Sequence, residues 1–412
     1  MVDQAAGNGL LNRRTLMRGA VTGGVTLLSA HALAERPPWM RAPGLGMSGS
    51  GAPSEHEDHV VRTAIGSQPG TDGSGASRTP LAHLDGIITP SRLHFERHHS
   101  GIPAIDPNQH RVTINGLVER PLSFSLEDLL RYPQVSRIQF LECSGNSGMM
   151  ILPQPMQAGV AELHGLVSCS EWGGVPLHYL LEEAGIKSTG RWVVAEGGDA
   201  AAMTRSIPLE KILDDAIVAL HQNGEKLRPA NGYPMRLFLP GWEGNASVKW
   251  LRNLTVTDQP QLSKDETSKY SDLQADGRAK LFTFPMGVKS VITNPSPGLQ
   301  LQAKGVYQVH GIAWSGAGAI RRVEVSADGG QSWADALLDD HVLPLSLTRF
   351  RIGWDWQGQS GLLLSRATDD QGNVQPTRAL VLKGRGAGSF YHVNAIQAWS
   401  VSDQGTLENA YV

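Results

Sequence analysis

The chain has 412 residues, 40% of them hydrophobic and 18% charged, which is enough to bury a sizeable core and excludes a disordered polymer. A formal net charge of −3 lacks the basic excess of nucleic-acid binders. Two cysteines exclude a disulfide scaffold and a four-cysteine metal or iron–sulfur site, and no CxxCH run is present to tether a c-type haem.

The first 34 residues read as an export signal. Asn12-Arg13-Arg14-Thr15-Leu16-Met17-Arg18 places paired arginines before a weakly apolar run, Gly19 to Ala34, that ends in Ala32-Leu33-Ala34. The run is short of the ~18 apolar residues a membrane span needs. It resembles a twin-arginine signal, which implies delivery of folded protein to the periplasm. Residues 35–80 are rich in Gly, Ser and Pro and read as a flexible arm. From Leu81 to Asp258, strands and helices mix. Arg111–Gly116 reads as a strand and turn. Ser125 caps a short helix with Asp128 three residues on. Val175 to Gly185 reads as a helix with Pro176 in its first turn. Trp192–Ala195 and Met235–Leu239 read as buried strands. Residues 259–278 are polar and read as a connector. Residues 279–402 carry short alternating strands such as Ile320–Val325 and turns at Asp328-Gly329-Gly330 and Asp369–Asn373, the pattern of a β-sandwich.

Four segments carry candidate chemistry. In Phe140-Leu-Glu-Cys-Ser-Gly-Asn-Ser-Gly148 a thiol leaves an apolar strand into a loop of small residues. Cys143 there is a candidate ligand, a buried structural cysteine, or one half of a disulfide with Cys169. Leu93-His-Phe-Glu-Arg-His-His99 gathers histidines without a recognisable metal spacing. Asn231-Gly-Tyr-Pro-Met-Arg236 and Ser247-Val-Lys-Trp250 place cations beside apolar sequence, where each needs an anion.

In this order the four segments resemble the sulfite oxidase family of molybdenum enzymes. The resemblance implies an α+β fold: a mixed α/β molybdopterin-binding domain over 81–258, then an immunoglobulin-like β-sandwich over 279–402 that commonly forms dimers. It implies a molybdenum–molybdopterin cofactor with Cys143 as the metal's thiolate ligand. Phe95, Arg97, His98, Arg236, Ser247, Val248 and Lys249 match pterin and phosphate contacts, and Asn231 stands at a cofactor-contact position where the family often has His. Such a site is chemically coherent, since thiolates suit molybdenum and a buried phosphate calls for Arg or Lys. Arg205 and Arg351, with Arg349, are candidates to face the substrate.

The sequence departs from the family in two places. Ser147-Gly148 stands where many members have an arginine after the cysteine loop. Met203 stands where a tyrosine precedes the Ser206-Ile207-Pro208 segment. These losses remove a charge and a phenol from the grip on a small anion, and the small residue at 148 leaves room for a swinging peptide arm. The Leu-Glu-Cys-Ser-Gly-Asn form is most similar to the sulfane dehydrogenase branch of the family, from bacterial sulfur oxidation. There the substrate is a sulfane sulfur on a carrier protein. The branch implies an enzyme that passes electrons to a cytochrome c subunit, since this chain has no second redox motif. A sulfite dehydrogenase subunit is the alternative, and a non-catalytic exported binding protein is the alternative of another class.

Overall fold

A computed structural model describes residues 4–12, 40, 42–43, 46–65, 71–386 and 388–412. The paired arginines and the Ala32–Ala34 site lie outside the described residues.

The sandwich is two antiparallel sheets packed face to face. One runs from Lys289–Asn294 through Gly305–Trp314 to Thr348–Trp356, with Leu337–Leu338 on the last. The other joins Ala334–Asp335, Ile320–Ser326, Gly361–Asp369, Ala398–Val401 and Leu407–Ala410. The sandwich therefore reaches residue 410, past the expected end at 402. Trp314, Phe350, Trp354 and Trp399 are buried in its core.

Its edge is extended by the chain's own N-terminus. Gln4–Ala6 and Leu10–Leu11 form a strand pair laid on Thr348–Trp356, with Leu10 opposite Trp354 and fully buried. Trp354 Nε1 donates to Asn8 O at 2.8 Å.

The first domain holds two five-stranded sheets. One has the order Thr204–Pro208, Trp192–Gly197, Leu251–Thr257, Arg111–Gly116, Leu122–Ser125. Leu251–Thr257 and Arg111–Gly116 run parallel in it. The other contains Val135–Glu142, Val167–Pro176, Ile217–Gln222, Glu225–Lys226 and Arg236–Phe238. Helices are short. Leu126–Leu129 opens on the expected capping box of Ser125 and Asp128. Leu177–Ala184 begins after Pro176 and stops at Gly185, whose φ of 72° disfavours any residue with a Cβ.

Thr63–Ile65 and Gly75–Arg78 differ from the expected arm. Thr63–Ile65 and Gly75–Arg78 pair with each other, and Gly75–Arg78 pairs with Glu96–His98. Backbone pairing needs no apolar side chains, so a Gly/Ser-rich stretch serves as the middle strand. The two domains share one apolar core: Phe140, Val167 and Cys169 of the first pack with Trp314 and Phe350 of the second.

Candidate functional site

Val135–Glu142 ends at the cleft and delivers Cys143 into the loop that follows. Cys143 N donates to Leu166 O at 2.9 Å, and Asn146 N donates back to Cys143 O at 2.9 Å, so the loop is closed on itself. Both cysteines are free. Cys169 lies in the shared core with Sγ 3.3 Å from Ser346 Oγ, and burial pushes its thiol up to about 11. Cys143 instead lines the cleft. Burial raises its pKa too, so an anionic sulfur here calls for a cation beside it.

The strand Glu96–His98, the segment Ala230–Arg236 and the segment Ser247–Trp250 form the other walls. Phe95, Arg97, His98, Cys143, Asn231, Arg236, Ser247, Val248 and Lys249 all line this one cleft. Lys249 Nζ donates to His98 Nδ1 at 2.8 Å and to the carbonyls of Arg97 and Ala230 at 3.1 Å each. Burial, then Arg236 nearby, drives its ammonium pKa well down. Arg236 is buried and donates to Asn231 O at 2.9 Å and Ser247 O at 2.7 Å. Burial lowers it to about 9. Among the described residues, Arg97, Arg236 and Lys249 form no ion pair. His94 Nδ1 meets Phe95 O at 2.9 Å, while its buried Nε2 has no partner. Burial pushes His94 down to about 3, which leaves the ring neutral. Burial works against the charged form of Glu96, yet His98 and Arg62 outweigh it and hold that carboxyl at about 2.

The substrate-facing arginines are corrected. None of the three lines the cleft. Arg351 sits on a sandwich strand and is neutralised by Asp339, Nε to Oδ1 2.7 Å. Arg349 donates to the carbonyls of Gly86 and Leu84 at 2.6 Å each. Arg205 is buried between Glu243, at 2.9 Å, and Glu266, at 3.7 Å. It lies one layer behind the cleft, its guanidinium 5.3 Å from the Tyr270 ring.

The loss of a phenol is corrected as well. Met203 does line the cleft, but so does Tyr270, from the segment that reads as a connector. Tyr270 Oη is 2.7 Å from Nε2 of His99, another lining residue. Burial pushes the phenol's pKa well up, so it stays protonated, and burial with Arg97 pushes His99 down to about 4. The small residue at 148 admits no arm either. Gly148 is buried under Phe390, and a Cβ there would meet Phe390 O at 2.9 Å.

Among the described residues no cluster of His, Cys, Asp or Glu forms a metal cage by itself. The cleft thus presents the Cys143 thiol to any metal whose other donors come with a cofactor. The unpaired cations and the orphaned His94 Nε2 fit the polar, anionic remainder of such a cofactor.

Comparison with known proteins agrees. A family model described as the oxidoreductase molybdopterin binding domain matches residues 99–264, and one described as the Mo-co oxidoreductase dimerisation domain matches residues 280–398. The fold and site are those of a molybdopterin oxidoreductase. The crystal structure of the sulfane dehydrogenase SoxCD from Paracoccus pantotrophus superposes with a TM-score of 0.90 at 44% identity, over 92% of this chain and 98% of that one. Sulfite oxidase of Gallus gallus is 32% identical over 70% of this chain and 68% of that protein. The NADH nitrate reductase of Ulva prolifera is 30% identical over 78% of this chain but only 42% of its own length. The chain likewise spans 59% of the mouse sulfite oxidase it matches. This chain belongs to the sulfite oxidase family of molybdenum enzymes, and molybdenum–molybdopterin is the cofactor its site implies.

Proposed function

We propose that the chain is the molybdenum subunit of a periplasmic sulfane dehydrogenase. Its substrate is a sulfane sulfur held on a cysteine of a carrier protein. Each step adds one oxygen from water and releases two electrons and two protons, as in R–S–S⁻ + H₂O → R–S–SO⁻ + 2H⁺ + 2e⁻. The electrons leave to a cytochrome c subunit, and the sandwich joins two copies of the chain. The observation that carries the reading is a cleft lined by both Cys143 and the cations Arg236 and Lys249, which form no ion pair among the described residues.

When bound, the cofactor supplies the two-electron redox change and the exchange of oxygen with water. The chain's residues do the rest. Arg236 and Lys249 hold the anionic pterin tail through charged hydrogen bonds, and Cys143 fixes the metal in register. Arg97 and Met203 line the same cleft, one offering a charge and the other an apolar surface suited to a soft sulfur. Tyr270 Oη meets His99 Nε2 at 2.7 Å, a hydrogen-bonded pair through which a proton released at the reacting sulfur can pass.

The presence of Tyr270 and Arg97 also favours a second reading, sulfite dehydrogenase, because a phenol and a guanidinium suit a small oxyanion. The holoenzyme with its cytochrome, supplied in turn with sulfite and with a persulfidated carrier, separates the two. The first reading expects kcat/KM to be far higher for the carrier, and equal turnover of sulfite refutes it. Cys143→Ser should remove one sulfur neighbour from the molybdenum X-ray absorption spectrum, whereas Cys169→Ser should leave it unchanged.

A further inference from the structure

The residue before the cysteine, Glu142, is fully buried, and its carboxylate is held mainly from the other domain. Lys289 Nζ, on the first sandwich strand, donates to Oε1 at 2.6 Å. Trp314 Nε1, on the next strand, donates to Oε2 at 2.7 Å. Asn146 Nδ2, from the cysteine loop itself, completes Oε1 at 2.9 Å. Lys289 also donates to Ser147 Oγ at 3.3 Å, and that hydroxyl meets His164 Nδ1 at 2.8 Å. His164 Nε2 in turn meets Gln397 Oε1, again of the sandwich, at 2.9 Å. These bonds hold Ser147 at a φ of 64°, a left-handed conformation uncommon for a residue with a Cβ.

We infer that Lys289, with Trp314, is a positioning residue for the metal ligand: the sandwich fixes the cysteine loop through Glu142 and Ser147 and balances the carboxylate's charge beside Cys143. A buried carboxylate with one donor group removed is a costly neighbour for a thiolate one residue away. A dimerisation module alone has no need of a buried cation aimed out of its own core. The inference rests on the reading that Cys143 ligates molybdenum.

The test compares holoprotein of wild type, Lys289→Gln, and the double variant Glu142→Gln with Lys289→Gln. The single variant leaves Glu142 without its cation. The double variant keeps polar groups of similar size but removes both charges. Each is measured by molybdenum content after dialysis, by the Mo(V) electron paramagnetic resonance spectrum, and by X-ray absorption. Lys289→Gln should lower metal retention by at least about tenfold and alter the Mo(V) signal, while the double variant restores most of both. A Lys289→Gln protein with wild-type retention and signal overturns the inference, and so does a double variant as damaged as the single one. If Lys289→Gln does not fold, the double variant's spectrum against wild type still decides. Failure of the underlying reading is seen separately, as a wild-type spectrum with no protein thiolate on the metal.

Discussion

Replacing Arg236 by methionine should shift stability in opposite directions with and without the cofactor. Arg236 is 2% exposed, and its guanidinium donates to the carbonyls of Asn231 and Ser247 at 2.9 and 2.7 Å, with a longer third contact of 3.4 Å to Leu237 O. Burial takes its pKa from 12.5 to about 9. At ~1.36 kcal/mol for each pH unit, that is a penalty on the charged form of roughly 5 kcal/mol. A cation depressed on folding binds its proton less tightly in the folded chain. Stability is therefore withheld at every pH below about 9 and recovered as pH rises from there towards 12.5. At neutral pH the cofactor-free protein bears the whole penalty.

Methionine removes it and leaves two carbonyls short of a donor, at about 1–2 kcal/mol each. The cofactor-free variant should then be more stable by about 1–3 kcal/mol, a rise of a few degrees in Tm. The loaded variant loses a charged hydrogen bond of about 1.5–3 kcal/mol to the pterin anion, roughly 10–100-fold in retention. Calorimetry of protein made with and without the cofactor, together with fluorescence of the pterin released on dialysis, reads both signs. A cofactor-free Arg236→Met protein that melts several degrees below wild type, with pterin retained as before, would refute the assignment and make Arg236 a structural residue.

Three further outcomes follow from the same geometry. Because burial and Arg97 hold His99 at about 4, it is neutral across ordinary assay conditions, and kcat/KM should show no acid limb near 6.5. Tyr270→Phe should lower kcat by about 10²-fold with the profile otherwise unchanged. A limb near 6.5 that disappears in His99→Gln would count against this placement of the pair. Gly148→Arg should destabilise the protein by about 1–3 kcal/mol in denaturant melts, because its Cβ falls 2.9 Å from Phe390 O. It should not improve KM for sulfite. A stable variant with a lower sulfite KM would show that the Phe390 segment yields.

The cysteine loop was readable because its chemistry is local: an apolar strand, a thiol, and small residues that let backbone donors close the loop. The cations at 236 and 249 were readable because each sits beside apolar sequence, where it needs an anion, whereas Arg97 was legible only through the family resemblance. Tyr270 was not. It follows a polar stretch whose fold depends on distant partners, since Glu266 is buried against Ser206, with its Oε2 3.1 Å from Ser206 Oγ. Nothing within residues 259–278 shows that this capped turn aims a phenol into a cleft. Arg351 failed for the converse reason. A charge on a strand says nothing of its direction, and its neutralising partner, Asp339, is set by the register of Leu337–Leu338 on Thr348–Trp356. Composition does not reveal the role of Gly75–Arg78, because composition reports side chains and this segment acts by backbone pairing with Thr63–Ile65 and Glu96–His98.

The placement of the two cysteines ties these points together. Phe140 pairs with Cys169 in the sheet, and both belong to the core shared with the sandwich. Three residues beyond Phe140 the same strand emerges at Cys143. The strand is thus clamped at Phe140 by apolar packing and at Glu142 by Lys289 and Trp314, immediately before the thiol. A ligand on an unclamped loop would follow the loop's motion, and a metal bound to it would sample several geometries. Fixing the last residues of the strand from a second domain removes that freedom without adding bulk to the cleft. This explains why the cysteine loop itself can be built of Ser, Gly and Asn: its rigidity comes from what lies behind it.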